Sequence, residues 1–289
     1  MKNRLADPKF LKTILPKYGF KFSKSLGQNF IINPSIPERI AELSGADSES
    51  LVFEVGPGAG CLSYELSLRA AKLITIELDK RLVPLLKETL VDRDNVEIVK
   101  ADALKTDFKE LASKAGEFEK IIFCANLPYN ITSPMVAKLI EAKLFSEITL
   151  MLQKETAERI CASEGSREFG AFSVFVNYFC ETKKLFELKS EDFMPRPKVD
   201  SAVIQLIPRK NFNVELKDPE LFRATYRSAF SQRRKTLLNS MSAGELKLDK
   251  EELLNAFNAV GIDPGQRAET VSPDLYARLS NEIYKIKGL

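Results

Sequence analysis

The four residues Asn126-Leu127-Pro128-Tyr129 combine a side-chain amide, a proline-fixed turn and an aromatic ring. Together they can handle a planar aromatic amine, whose lone pair is delocalised into its ring and is therefore a poor nucleophile. The amide oxygen of Asn126 and the backbone carbonyl of Leu127 can both accept the amine's hydrogens, drawing the nitrogen towards sp³ and aiming its lone pair. Pro128 sets the turn that points the carbonyls inward, and Tyr129 offers a face on which a base can stack. The chemistry served is transfer of a methyl group to an exocyclic amino nitrogen, with the barrier lowered by positioning and aligned dipoles. The chain has no histidine, which excludes Ser-His-Asp, Cys-His and His-metal mechanisms. The transferred group must therefore arrive already activated, and no metal site is expected.

A glycine loop supplies a place for such a donor. In Glu54-Val55-Gly56-Pro57-Gly58-Ala59-Gly60 the spacing of Gly56, Gly58 and Gly60 is GxGxG, not the GxGxxG of dinucleotide enzymes. Pro57 removes a backbone N–H, a poor choice for cradling a pyrophosphate. The loop suits a nucleoside without phosphates. Glu77 and Asp102 end or follow the next two apolar runs. In an open α/β sheet, ligands lie outside the carboxyl ends of the strands. Glu77 can accept both ribose hydroxyls there, and Asp102 can accept from an adenine amino group or neighbouring donors. The set favours S-adenosylmethionine, whose sulfonium is its own leaving group, over a nicotinamide cofactor.

These residues need a scaffold, and the hydrophobic pattern provides one. Apolar runs at Leu51–Val55, Leu73–Glu77, Val96–Val99, Ile121–Ala125 and Ile148–Leu152 start 22, 23, 25 and 27 residues apart. Helical segments are predicted between them at 60–70, 79–90, 106–115 and 133–144. Such alternation predicts an α/β fold with a parallel, doubly wound, Rossmann-like sheet. Leu185–Leu188 and Val199–Ile207 are predicted to close the sheet as a hairpin-like pair. Beyond Pro208 the pattern turns helical, over 219–240, 249–260 and 273–286. Asp218-Pro219 and Ser272-Pro273 read as helix starts. Two domains are expected: a methyltransferase domain over 1–207 with a basic arm at 1–30, and a small all-helical domain over 208–289.

Length and composition agree with a globular chain. The 289 residues are 44% hydrophobic and 29% charged, with no apolar run near the roughly 18 residues of a membrane span and no secretory h-region at 1–30. The four cysteines show no CxxC pairing, which fits a reducing cytoplasm. A cytoplasmic monomer without membrane association is expected. The net charge of +3 is unevenly spread: +6 over 1–30, −6 over 31–208 and +3 over 209–289. Basic flanks around an acidic centre suit a polyanion gripped at both ends. At about 100° per residue, a helix over 219–240 would set Arg223, Arg227 and Arg234 within about a 40° arc. Phe222, Tyr226 and Phe230 would form an apolar core stripe beside it. Phosphate contacts of this kind position RNA without reading its sequence.

The chain resembles the ribosomal RNA adenine dimethyltransferase family, closest to its bacterial small-subunit (16S) branch, from about Lys24 to Asn239. Lys24-Ser25-Leu26-Gly27-Gln28-Asn29-Phe30 resembles the family's opening motif. The resemblance implies that Asn29 and Ile31 lie over the cofactor, together with Gly56, Gly58, Gly60, Glu77, Asp102 and Asn126. It implies catalytic positions at Asn126, Leu127, Pro128 and Tyr129. Pro195-Arg196-Pro197-Lys198-Val199-Asp200-Ser201 matches a late motif, with Phe193 before it as a second stacking ring. Ala229-Phe230-Ser231-Gln232-Arg233-Arg234-Lys235-Thr236-Leu237 is similar to the family's basic helix. RNA contacts are expected at Arg223, Arg227, Arg233, Arg234 and Lys235. Ile31 stands where Leu is usual, and Leu238 where many members carry another basic residue. The implied activity is S-adenosylmethionine-dependent dimethylation of two adjacent adenines near the 3′ end of 16S rRNA, during small-subunit biogenesis. The alternatives are a 23S rRNA or DNA adenine methyltransferase, or a non-catalytic assembly or transcription factor that keeps the fold.

Overall fold

The computed structural model describes residues 4–20 and 29–289. The order of elements is α1 (Pro8–Ile14), β1 (Phe30–Ile31), α2 (Ser35–Leu43), β2 (Ser50–Val55), α3 (Cys61–Ser67), β3 (Lys72–Glu77), α4 (Leu82–Thr89), β4 (Val96–Lys100), α5 (Phe108–Ala115), β5 (Lys120–Asn126), α6 (Thr132–Ala142) and β6 (Glu147–Gln153). There follow α7 (Lys154–Ile160), α8 (Ala171–Phe179), β7 (Cys180–Leu188), β8 (Phe193–Met194) and β9 (Ser201–Pro208). Four helices complete the chain: α9 (Pro219–Ala229), α10 (Leu237–Ser242), α11 (Lys250–Val260) and α12 (Pro273–Ile286).

Seven strands form one sheet in the order β4-β3-β2-β5-β6-β9-β7. The five from β4 to β6 are parallel, as the spacing predicts. Strand β9 runs antiparallel to β6, with Leu150 opposite Ile204, and leaves β7 at the edge. The near-continuous apolar character of the strands follows from burial on both faces. Val52, on β2, packs into a cluster with Leu66, Leu73, Ile122, Cys124, Met151 and Val203. Its neighbour Phe53 points the other way, into edge-to-face contacts with Phe108 and Phe145 at centroid distances of 5.5 and 5.9 Å. The chain winds outward from β2 through β3 to β4, then restarts on the opposite side of β2 with β5. A crevice opens where the winding reverses, and here that point lies between the ends of β2 and β5.

The chain packs as two compact units, one running to Ala157 and taking in Lys183–Pro208, the other made of Glu158–Thr182 and Arg209–Leu289. The division expected at 207/208 differs from this, since it placed 158–182 in the first domain. The physical reason is the character of α8. Its Val174, Phe175, Val176 and Tyr178 are buried, and Tyr178 and Phe179 join Phe212 and Phe222 in an aromatic cluster of the second unit. The helix predicted over 219–240 is likewise divided. Helix α9 starts as expected, with Asp218 accepting from the Glu220 and Leu221 amides and Pro219 in the first turn, but it ends at Ala229. The Ser240 side chain donates to the Ala229 carbonyl (2.7 Å) and accepts from the Gln232 amide (3.1 Å). That hydroxyl replaces the helical partners of the next turn and folds 230–236 back on α10.

Candidate functional site

A cleft lies at the carboxyl ends of the parallel strands. It is lined by Asn29, Gly56, Gly58, Glu77, Asp102 and the run Asn126–Ile131, along with apolar side chains. The sharp exit from β2 depends on glycine. Gly58 has φ +61°, and a Cβ there would come within 3.0 Å of the Phe30 ring. Glycine is needed here for the positive φ and for the Phe30 ring packed against the loop. Gly60 works differently. It begins α3 at φ +90°, and a Cβ would meet Thr89 Oγ1 at 3.2 Å and Leu86 at 3.3 Å. It does not line the cleft; its smallness serves helix packing.

Glu77, the last residue of β3, is buried, and its Oε1 accepts from the Asp79 amide at 2.7 Å. Burial pushes its carboxyl up from the ordinary 4.5 to about 7, and the Asp79 charge adds to the rise; the Asp79, Gly58 and Leu78 amides oppose it. Glu54, two residues before the loop, is fully buried and accepts from Ser63 Oγ at 2.5 Å. Burial lifts it to about 8, with Glu77 adding to the rise. Asp102 lines the cleft beyond β4 and accepts from the Leu104 amide at 3.0 Å.

Asn126 closes β5. Its Nδ2 donates to the Asn29 carbonyl at 3.3 Å, which leaves Oδ1 as the amide's acceptor for a ligand. The Leu127 amide donates to the Met151 carbonyl at 3.2 Å while its side chain is buried, so the residue is anchored on the sheet side and its carbonyl belongs to the corner. Pro128, at φ −56° and ψ 131°, turns the chain into a short 3-10 turn over Tyr129–Ile131. Tyr129 is half-buried, and its hydroxyl lies 3.2 Å from that of Ser201 on β9.

The structure thus brings Asn29, Gly56, Gly58, Glu77, Asp102 and Asn126–Tyr129 around one cleft. It does not bring Ile31 or Phe193 there. These two face each other in the β1–β8 ladder, and both are buried in the core that carries Val52 and Ile122. Phe193 is core in this structure, not an exposed ring for stacking; a strand pair with both side chains turned inward leaves it no open face. Lys24–Gln28 of the opening motif lie outside the described residues. Sequence reasoning passed over Phe30, Leu78, Leu82 and Ala103, which also line the cleft. Leu78 and Ala103 each directly follow a cleft carboxylate, and that adjacency is the signal that points to them.

The expected RNA contacts lie in the second unit. Arg223 ion-pairs with Glu220 at 3.3 Å and lies over the Phe175 ring; Arg227 pairs with Glu245 at 3.4 Å. Arg233, Arg234 and Lys235 are exposed in the turn after α9, where Arg233 donates to the Arg167 carbonyl at 2.8 Å. Arg234 is therefore not on one helical stripe with Arg223 and Arg227. Phe222 and Tyr226 are buried, 5.2 Å apart edge to face, as the core stripe predicts.

That strand order, with an antiparallel strand inserted beside the last parallel one, is the sheet of a class I, Rossmann-like methyltransferase. The family model for ribosomal RNA adenine dimethylases matches residues 19–285. Among curated proteins, a ribosomal RNA small subunit methyltransferase A of Clostridium botulinum is 45% identical, covering 95% of this chain and 98% of its own. One from Bacillus mycoides is 41% identical, covering 96% and 97%. Among solved structures, a dimethyladenosine transferase from Plasmodium falciparum superposes with a TM-score of 0.74 at 28% identity, over 90% of this chain and 98% of that one. The 23S rRNA methyltransferase ErmE gives 0.67 at 26%, over 88% and 99%. The chain belongs to the ribosomal RNA adenine dimethylase family. It is an rRNA adenine dimethyltransferase, and its methyl donor is S-adenosylmethionine. The cleft fits that donor: Glu77, Asp102 and the Asn126 amide bring acceptors for hydroxyl and amino donors to a lining that is otherwise largely apolar.

Proposed function

We propose that this chain dimethylates the exocyclic amines of two adjacent adenines near the 3′ end of 16S rRNA, in the small subunit during its biogenesis, as a cytoplasmic monomer. The observation that carries the reading is the Asn126–Leu127 corner, set in the same cleft as Glu77 and Asp102 with its amide oriented by Asn29. The small-subunit assignment draws on the names of relatives at 41–45% identity.

In this reading Glu77 receives the ribose hydroxyls and Asp102 the adenine side of the cofactor. Asn29, Gly56 and Gly58 wall the site. When bound, S-adenosylmethionine supplies a methyl group on a positively charged sulfur. Asn126 Oδ1 and the Leu127 carbonyl accept the two N–H bonds of the target amine, so the lone pair turns out of the base plane. Fixed dipoles of this sort need no reorganisation during transfer. Tyr129 stacks on the base that the enzyme takes out of its surroundings. No side chain must remove a proton before transfer, consistent with a chain that has no histidine. The exposed turn of Arg233, Arg234 and Lys235, with Arg223 and Arg227 on α9, contacts phosphates from the second unit.

The test is to incubate the protein with methyl-labelled cofactor and small subunits lacking these methyl groups, then map the modified nucleotides. Dimethylation of two neighbouring adenines near the 3′ end of 16S rRNA is expected. Label confined to large-subunit rRNA would overturn the substrate; tight subunit binding with no label would overturn the activity.

A further inference from the structure

Dimethylation poses a problem that the Asn126–Leu127 corner does not solve alone. The unmodified amine offers two hydrogens to two acceptors. After one transfer it offers a single hydrogen, so one of its two positioning bonds is gone. The remaining restraint on the base must come from what lies against its ring, and the candidate surface is Tyr129.

Tyr129 is not held by its own turn alone. Its hydroxyl is in hydrogen-bond contact with Ser201 Oγ at 3.2 Å, 72 residues away in sequence. Ser201 is fully buried and is itself fixed. It begins β9 opposite Gln153 of β6. The adjoining Asp200 carbonyl accepts from the Lys154 amide at 3.0 Å, and the Asp200 carboxylate accepts from the Ser190 amide at 2.9 Å and from Lys189 Nζ at 3.3 Å. The Tyr129 ring is therefore pinned at its far end to the rigid sheet, while its near end sits on the turn that carries the two acceptors. A ring with only two side-chain torsions, tied at both ends, is pre-organised before RNA arrives.

We propose that Ser201 is a positioning residue that holds Tyr129 as a fixed wall for the target adenine, and that this wall is required more for the second methyl transfer than for the first. The inference rests on the proposed adenine dimethylation. Loosening the ring leaves the first transfer with two amine hydrogen bonds, whereas the second has one and depends on the wall.

The experiment compares wild type, Ser201→Ala, Ser201→Thr, Tyr129→Phe and the double variant Ser201→Ala/Tyr129→Phe on unmethylated small subunits. Mono- and dimethyladenosine are quantified by mass spectrometry over time, with cofactor affinity measured separately. Ser201→Ala should raise the ratio of monomethyl to dimethyl product about 2- to 10-fold, the factor a single neutral hydrogen bond supplies. Cofactor affinity should be unchanged. Tyr129→Phe breaks the same hydrogen bond from the other side without touching the buried serine, so it should give the same shift, and the double variant no more than either alone. Ser201→Thr, which keeps the hydroxyl, should restore the wild-type ratio. An unchanged ratio in Ser201→Ala and Tyr129→Phe, or equal slowing of both transfers, would overturn the proposal while leaving the dimethyltransferase reading intact. A wild-type protein that makes no dimethyladenosine would instead overturn the reading on which it rests.

Discussion

The proposed role of Glu77 in receiving the ribose hydroxyls predicts that cofactor binding depends on pH. Burial raises this group to about 7, yet acceptance of two ribose hydroxyls requires the ionised form. Binding must therefore drive off a proton wherever the free protein still holds one. With a value near 7, affinity should fall about tenfold for each pH unit below 7, or about 1.4 kcal/mol per unit, and level off above pH 8. At pH 7 about half a proton should be released per cofactor bound. The measurement is isothermal titration with S-adenosylhomocysteine, which shares the nucleoside, in pairs of buffers with different ionisation enthalpies. Glu77→Gln should lose the proton release and weaken binding at pH 8 by about 1.5–3 kcal/mol, the size of a charge-assisted hydrogen bond. In the free protein Glu77 contributes to stability with the opposite trend. The folded state keeps a proton that the unfolded chain loses above its ordinary 4.5, so this group's contribution is fully present below 4.5 and is lost as pH rises to 7. Glu54, raised by burial to about 8, acts in the same direction over a wider window. Affinity that stays flat between pH 6 and 8, or a Gln variant that keeps the wild-type slope, would refute the assignment of Glu77 to the ribose.

Three further outcomes are expected. Asn126→Ala should keep cofactor binding within a few-fold but lower methyl transfer by at least about 100-fold, the cost of removing one pre-organised dipole, read as label incorporated into small subunits. Replacing Arg233 and Arg234 by glutamine should flatten the plot of log affinity for RNA against log salt by about 0.7–0.9 for each phosphate that is no longer neutralised; a slope equal to wild type would remove that turn from the interface. Phe193→Ala should lower stability by about 3–5 kcal/mol in denaturant unfolding, as expected for a large ring deleted from a packed core; a loss below about 1 kcal/mol would show that the ring is not core.

Much of the site could be read from the amino-acid order, because each part is local. The GxGxG loop must follow a strand, Glu77 and Asp102 fall at the ends of apolar runs, and Asn126–Tyr129 closes another. Strand spacing of 22 to 27 residues already demands parallel strands with helical crossovers, and parallel strands bring all their carboxyl ends to one edge of the sheet. Those four chemical features had to meet there.

Tertiary structure decided everything that depends on partners far away in the chain. Ile31 and Phe193 have the sequence neighbours of site residues, but their pairing across β1 and β8 turns both inward. Helicity alone would carry α9 to residue 240; the Ser240 hydroxyl, supplied from α10, captures the Ala229 carbonyl and ends it. Helix α8 belongs with the C-terminal helices because aromatic rings at 212 and 222 cover it, an arrangement no local pattern announces. The bond between Tyr129 and Ser201 is of the same kind. Local sequence sets the period of each element and the chemistry at its end, whereas which face is covered, and by what, is a property of the packed chain.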